Sequence, residues 1–307
     1  MVAPVPDDFA AISVRLTPLF EARWSYEAFT RVMPFGPDSE GQGFAFSNQG
    51  RVDGERLSGS YRTIQYPRWR ADGVYLPDAH GIVDTDVGAK VITHAAGYVI
   101  PWANGKDRWT ITHWMRFWTG AADLAWLNAT VAVGIGSMDG GHARVSYFAA
   151  APTTGPTDVL EGAPQLNVLG TARWEYPVYE AVRLFGDKEG VGIASSTGEV
   201  RGGLLEGKWR GWHYPTYLRD GLYLLDAHVE IEGPNGVVLN RHAGLATRPA
   251  QASGDVIYDL AQHATFVTEA PTLATLNRTL ALGVGYVHDP GLVHLSYYAV
   301  TGQAASG

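Results

Sequence analysis

The chain has 307 residues, 46% of them hydrophobic and only 18% charged, with 37 Gly, 10 Trp and 15 Tyr. That profile suits a turn-rich β protein over a charged helical one. A net charge of −8 without any Lys/Arg cluster argues against a nucleic-acid or anionic-membrane partner, and the absence of cysteine excludes disulfides, thiolate catalysis and Cys-based zinc sites.

At the N-terminus, "MVAPVPDDFAAISVRL" has no basic region leading into an apolar core, and no run of eighteen apolar residues follows anywhere. A cytoplasmic protein is the expectation. Further along, "GVYLPDAHGIV", "AKVITHAAGYVI", "NATVAVGIG" and "HARVSYFAA" alternate with a period near two and are separated by Gly-containing turns, so they read as strands. "TGAADLAWLN" reads as a short helical turn. "AAPTTGPTDVLEGAP" has linker composition. Beyond it the same series returns as "GLYLLDAHVEI", "GVVLNRHAGL", "EAPTLATLN", "RTLALGVGYV" and "VHLSYYAV".

The return is a duplication. Asp78 and Asp226, His80 and His228, and His94 and His242 are each 148 residues apart, as are Gly59 and Gly207, Arg62 and Arg210, Tyr66 and Tyr214, and Asp72 and Asp220. "WLN" at Trp126 returns as "TLN" at Thr275. The expected organisation is a first repeat over 14–150, a linker over 151–165 and a second repeat over 166–302. Eight or so strands per repeat would leave reactive edges unless they closed, so the fold class is all-β: two antiparallel β-barrel units in tandem, related by a pseudo-twofold axis. An interface of that kind leaves room for a homodimer.

The frame formed by a Leu-x-Gly strand, an Asp-Gly turn, Leu-Asp-Ala, a Gly and then Trp-Leu-Asn resembles a small bacterial and fungal β-barrel family known as a domain of unknown function. The family's basic residue after Asp-Ala is replaced here by His80 and His228, and its Trp by Thr275. The tandem arrangement resembles the fungal hydroalkoxylation cyclases of phenalenone pathways. The resemblance implies cyclisation of a prenylated aromatic polyketide by intramolecular addition of a hydroxyl to an alkene.

Alternation places Asp78 with His80, and Asp226 with His228, on a shared strand face. If that face lines the barrel, a carboxylate and an imidazole meet in a low-dielectric cavity suited to proton transfer; if it faces water, the pair is a solvated one. Interior Asp residues also serve as plain hydrogen-bond acceptors, with Arg62 and Arg210 at hand as donors. His94 and His242, on the next strand, could approach that face. His213, unmatched in the first repeat where Gln65 stands, favours the second repeat as the active one. Asp226 or Asp78 is expected as the general acid, with His228, His213 and His80 as proton carriers. Arg210, Arg62, Tyr214, Tyr66, Trp212, Tyr217, Trp126, His242 and His94 are expected around an aromatic or prenylated small-molecule substrate. His113 and His263, one position out of step, are expected on opposite faces or in a shifted alignment. No spacing typical of a metal centre and no nucleotide or redox fingerprint occurs, so the chemistry is read as metal-free and cofactor-independent. The alternatives are a non-catalytic carrier of an apolar aromatic metabolite, or a hydratase or isomerase on a paired-lipocalin-like scaffold.

Overall fold

A computed structural model describes residues 9–36, 39–102, 108–154, 160–184, 189–219, 221–249, 255–289 and 291–302. Asp220 lies outside the described residues. The first eleven strands are β1 (Ser13–Ser25), β2 (Ala28–Val32), β3 (Gly41–Asp53), β4 (Gly59–Gln65), β5 (Arg68–Trp69), β6 (Tyr75–Leu76), β7 (Asp78–Thr85), β8 (Lys90–Pro101), β9 (Arg108–Trp118), β10 (Val131–Asp139) and β11 (His142–Thr153). They make one sheet in which β1 adjoins β11, and the order runs on through β10, β9, β8, β7, β4 and β3 back to β1. The ring is closed. Pairing of the two edges satisfies the backbone groups an open sheet would leave exposed.

The second sheet repeats the plan with β12 (Gln165–Leu184), β13 (Glu189–Arg201), β14 (Gly207–His213), β15 (Thr216–Tyr217), β16 (Tyr223–Gly233), β17 (Gly236–Thr247), β18 (Val256–Val267), β19 (Ala281–His288) and β20 (Leu292–Thr301). Its ring closes where β12 pairs with both β20 and β13. The fold is therefore all-β, with two antiparallel barrels in tandem. The chain divides into two compact units: Met1–Arg15, Ala151–Asp158 and Leu166–Ala299 form one; Leu16–Ala150, Val159–Gln165 and Val300–Gly307 form the other.

Within each barrel the alternation is strict. On β4, Gly59, Tyr61, Thr63 and Gln65 are buried while Ser60, Arg62 and Ile64 are exposed. On β14, Trp209, Gly211 and His213 are buried while Lys208, Arg210 and Trp212 are exposed. Large rings fill both interiors, among them Tyr61 and Tyr147 in the first barrel and Trp209 and Tyr297 in the second. Close strand approach requires glycine: a Cβ on Gly244 would lie 2.3 Å from the Ala261 carbonyl oxygen and 2.5 Å from Gln262 Cα.

The Trp-Leu-Asn and Thr-Leu-Asn motifs have a structural task. Asn128 Oδ1 accepts from the Thr119 N–H at 2.8 Å and its Nδ2 donates to the Thr119 carbonyl at 3.0 Å. Asn277 makes the same pair of bonds with Thr268, both at 2.9 Å. Each asparagine thereby anchors a 3-10 turn, Ala122–Ala129 or Pro271–Arg278, to the end of the preceding strand. Among the described residues, no helix is long and apolar enough to cross a membrane.

Candidate functional site: the interior of the second barrel

The Asp-x-His face points outward in both repeats. Ala79, Gly81 and Val83 fill the inner face of β7, leaving the Asp78 and His80 side chains 49% and 57% exposed. On β16 Ala227 and Val229 point inward and His228 is exposed. Asp226 borders the interior, but its carboxylate lies 3.7 Å from Arg241 Nε on the outer face. Of the two possibilities for this face, the solvated one holds for Asp78, His80 and His228, while Asp226 stays at the cavity wall; small residues fill the lumen beside them.

Arg62 and Arg210 do not serve these aspartates. Arg62 pairs with Asp84 at 2.7 Å and Arg210 with Glu230 at 2.5 Å, both in water. Tyr66, Trp212 and Tyr214 are also exposed, and Trp126, partly buried against the first barrel's core, has the Arg56 guanidinium carbon 3.8 Å from its ring centroid.

His94 and His242, equidistant from the Asp-Ala-His motifs in sequence, face opposite ways. On β8, His80 stands directly across from His94; on β17, His228 stands across from Arg241, and His242 instead faces Ala227. The turn between β16 and β17 is tighter, pairing Gly233 with Gly236, whereas Asp84 pairs with Lys90. One residue of register moves every following side chain to the other face. Structurally, then, Arg241 is the counterpart of His94, and Ala95 that of His242. The same shift separates His113, inside the first barrel with Nδ1 3.3 Å from Tyr147 OH, from His263; the inward counterpart of His113 is Gln262, 3.4 Å from Tyr297 OH.

The second barrel encloses a cavity of about 680 Å³, bordered by His213, His242, Trp174, Tyr176, Tyr223 and Gln262 among others. Trp174 stacks on Trp209 at 4.5 Å and 10°, and the ring of His213 lies 5.4 Å from that of His242. Tyr176 meets His213 edge-on at 5.0 Å. Tyr217 is buried beside this space, against Tyr223 at 4.8 Å.

Both imidazoles are held by hydrogen bonds. Ser196 Oγ accepts from Trp209 Nε1 at 2.9 Å and lies 2.8 Å from His213 Nε2. A hydroxyl that donates to Nε2 goes with a His213 proton on Nδ1, and one that accepts from Nε2 with the other tautomer. His242 Nδ1 lies 2.9 Å from Asn240 Oδ1 and 3.2 Å from Tyr297 OH. In the amide orientation that turns Oδ1 to the ring, Nδ1 carries the proton and Nε2 keeps its lone pair. Burial disfavours the charged form of both rings: His213 is pushed down to about 3, and His242 falls well below the ordinary value, with His213, His263 and His228 adding repulsion. Desolvation likewise pushes Tyr176 up to about 12. At neutral pH the site offers an N–H donor and a nitrogen lone pair between aromatic walls, and no net charge on either ring.

Of the expected site residues, the structure brings His213, His242 and Asp226 together at the cavity, with Tyr217 close by. It gathers Asp78, His80 and His94 on the outside of the first barrel. Ser196, Asn240, Gln262 and Tyr176 complete the interior set, and sequence reasoning missed them. Ser196 has a period-two signal, since it alternates inward with Ala194 and Val200.

No family model matches the chain, and no curated protein matches it. Among solved structures, a β-barrel-like protein from Acinetobacter baumannii AYE aligns at 21% identity with a TM-score of 0.41, covering 49% of this chain and 99% of its own. A conserved protein of unknown function from Rhodopseudomonas palustris aligns at 17% and 0.40, covering 45% and 98%. An enzyme from Penicillium herquei aligns at 16% and 0.34, covering 48% and 99%. At these identities the likeness concerns the barrel and assigns no activity.

Proposed function

We propose that the second barrel binds a planar, prenylated aromatic molecule in its interior and closes an oxygen heterocycle on it without a cofactor. The observation that carries this reading is the pair of neutral imidazoles, 5.4 Å apart, in an aromatic-lined cavity of about 680 Å³. The reaction is an isomerisation: a substrate O–H and the π bond of an alkene are broken, and an O–C and a C–H bond are formed. His213 Nδ1–H donates to a carbonyl conjugated with the reacting system, as a neutral imidazole can. His242 Nε2 takes the proton from the attacking hydroxyl and returns it to carbon, while the Trp174 face supports positive charge developing at the tertiary carbon.

Proton work is assigned to the histidines because Asp78 lies outside and Asp226, at the cavity wall, is drawn toward Arg241 at 3.7 Å. A conjugated carbonyl is then required, since neither imidazole is acidic enough to protonate an isolated alkene. The reading agrees with the cyclisation that the resemblance to phenalenone-pathway cyclases implies. Incubation with a panel of hydroxyaryl ketones whose prenyl-derived alkene is conjugated with the carbonyl, such as 3-methylbut-2-enoyl phenols, followed by chromatography and mass spectrometry, tests it. A product of unchanged mass, lost by at least ~100-fold in His242→Ala and His213→Gln, is expected. Saturable binding of those compounds without any isomer would instead make the protein a carrier, the second reading, which the largely aromatic lining favours.

A further inference from the structure

Outside the first barrel, three side chains converge that the cavity does not use. Asp78 and His80 share the outer face of β7, and His94 stands directly opposite His80 on β8. The two imidazoles stack at 4.6 Å and 16°. Asp78 Oδ1 lies 3.3 Å from His80 Nε2 and 2.8 Å from His94 Nε2, and all three ligand atoms fall within 4.8 Å of one another. Ala96, opposite Asp78, leaves the carboxylate room to lean across to His94. Trp114 braces the His94 ring edge-on at 5.0 Å, and Arg116, the neighbour of His94 on β9, is stacked 5.0 Å from the Trp118 centroid.

We infer that Asp78, His80 and His94 form a binding site for one borderline-soft divalent transition ion such as Zn²⁺, independent of the chemistry inside the second barrel. Tetrahedral ligands at about 2.1 Å from zinc stand roughly 3.4 Å apart, so the Asp78–His80 spacing already fits and the Asp78–His94 pair opens slightly as the ion replaces the shared proton. Two imidazole nitrogens and one carboxylate oxygen select Zn²⁺, Ni²⁺ or Cu²⁺ over Ca²⁺ and Mg²⁺, which prefer oxygen donors. The half-exposed setting leaves the remaining coordination positions open to water or to an exchangeable ligand. The second barrel lacks the site for a single reason: Arg241 stands where His94 does, so its outer triad is Asp226, His228 and Arg241.

Isothermal titration of the metal-free full chain with Zn²⁺, beside the visible spectrum of its Co²⁺ form, tests the assignment. One ion per chain is expected, with affinity at least ~10-fold weaker in His80→Ala and in His94→Ala, unchanged in His228→Ala, and no competition from excess Ca²⁺. Arg241→His is expected to raise the stoichiometry to two. The exposed positions make unfolding a poor explanation for lost binding, and a thermal melt of each apo variant matching the parent checks this. Absence of saturable Zn²⁺ binding, binding unaffected by His80→Ala and His94→Ala, or a single ion in Arg241→His would each overturn the assignment.

Discussion

His213 is the residue on which stability and chemistry oppose each other. The unfolded chain protonates it near 6.5 and the folded chain only near 3, so its burial is without penalty at neutral pH. Below pH 6.5 the unfolded state binds the proton first, and stability falls until the folded ring titrates too. At pH 4 this amounts to about 3 kcal/mol. Glutamine occupies the corresponding place in the first barrel, where Gln65 Oε1 accepts from Tyr75 OH at 2.7 Å. His213→Gln should therefore flatten the acid limb of the stability curve by about that amount relative to the parent, as read by urea unfolding between pH 7 and 4. His113, also pushed down to about 3 by burial, leaves a residual acid sensitivity in both proteins.

Among the elements, the asparagine-anchored turns and the close glycines hold the strands in place. Removing the Asn277 amide leaves the Thr268 N–H and carbonyl without their partners, and Asn277→Ala is expected to cost about 1–3 kcal/mol in denaturant unfolding. Gly244→Ala drives a Cβ into the Ala261–Gln262 backbone, and a loss of about 3 kcal/mol or more is expected in the same measurement. These elements also mark how far the sequence could be read. Period-two alternation located β7, β8, β10 and β11 with their counterparts β16, β17, β19 and β20, and showed that Asp78 and His80 share a face. It could not say which face is inside, although the small residues Ala79 and Gly81 between them carried that information. Matching His94 to His242 concealed the tighter turn at Gly233–Gly236; matching Gly97 to Gly244 instead reveals the one-residue shift and places His242 inside. The interior set of Ser196, Asn240 and Gln262 was not legible because hydroxyls and amides are as common on solvated strand faces as in barrels.

Across the full chain, the duplication supplied two barrels and divergence gave them different surfaces to work with. The first barrel keeps Gln65, Tyr75, His113 and Tyr147 inside and a His-rich triad outside. The second has His213 and His242 inside and His228 on its outer face. The unit containing the second repeat also includes the chain up to Arg15: the Ile12 N–H donates to Ser296 Oγ at 2.9 Å, and Tyr298 OH donates to the Ile12 carbonyl. A fragment starting after the linker lacks those residues, so it should melt at a lower temperature by circular dichroism than one to which residues 9–15 are restored as a peptide.

The second barrel differs from the first in holding two neutral imidazoles at one cavity, which the proposed reaction uses on a bound aromatic molecule. Long-range ¹H–¹⁵N correlation spectra of the histidine rings, recorded from pH 7 to 5 with and without a 3-methylbut-2-enoyl phenol, read both properties at once. The expected result is that His213 stays neutral with its proton on Nδ1 and His242 stays neutral with its lone pair on Nε2 throughout, and that both shift on ligand addition. Protonation of His213 and His242 near the ordinary histidine value, with neither resonance responding to ligand, would contradict it.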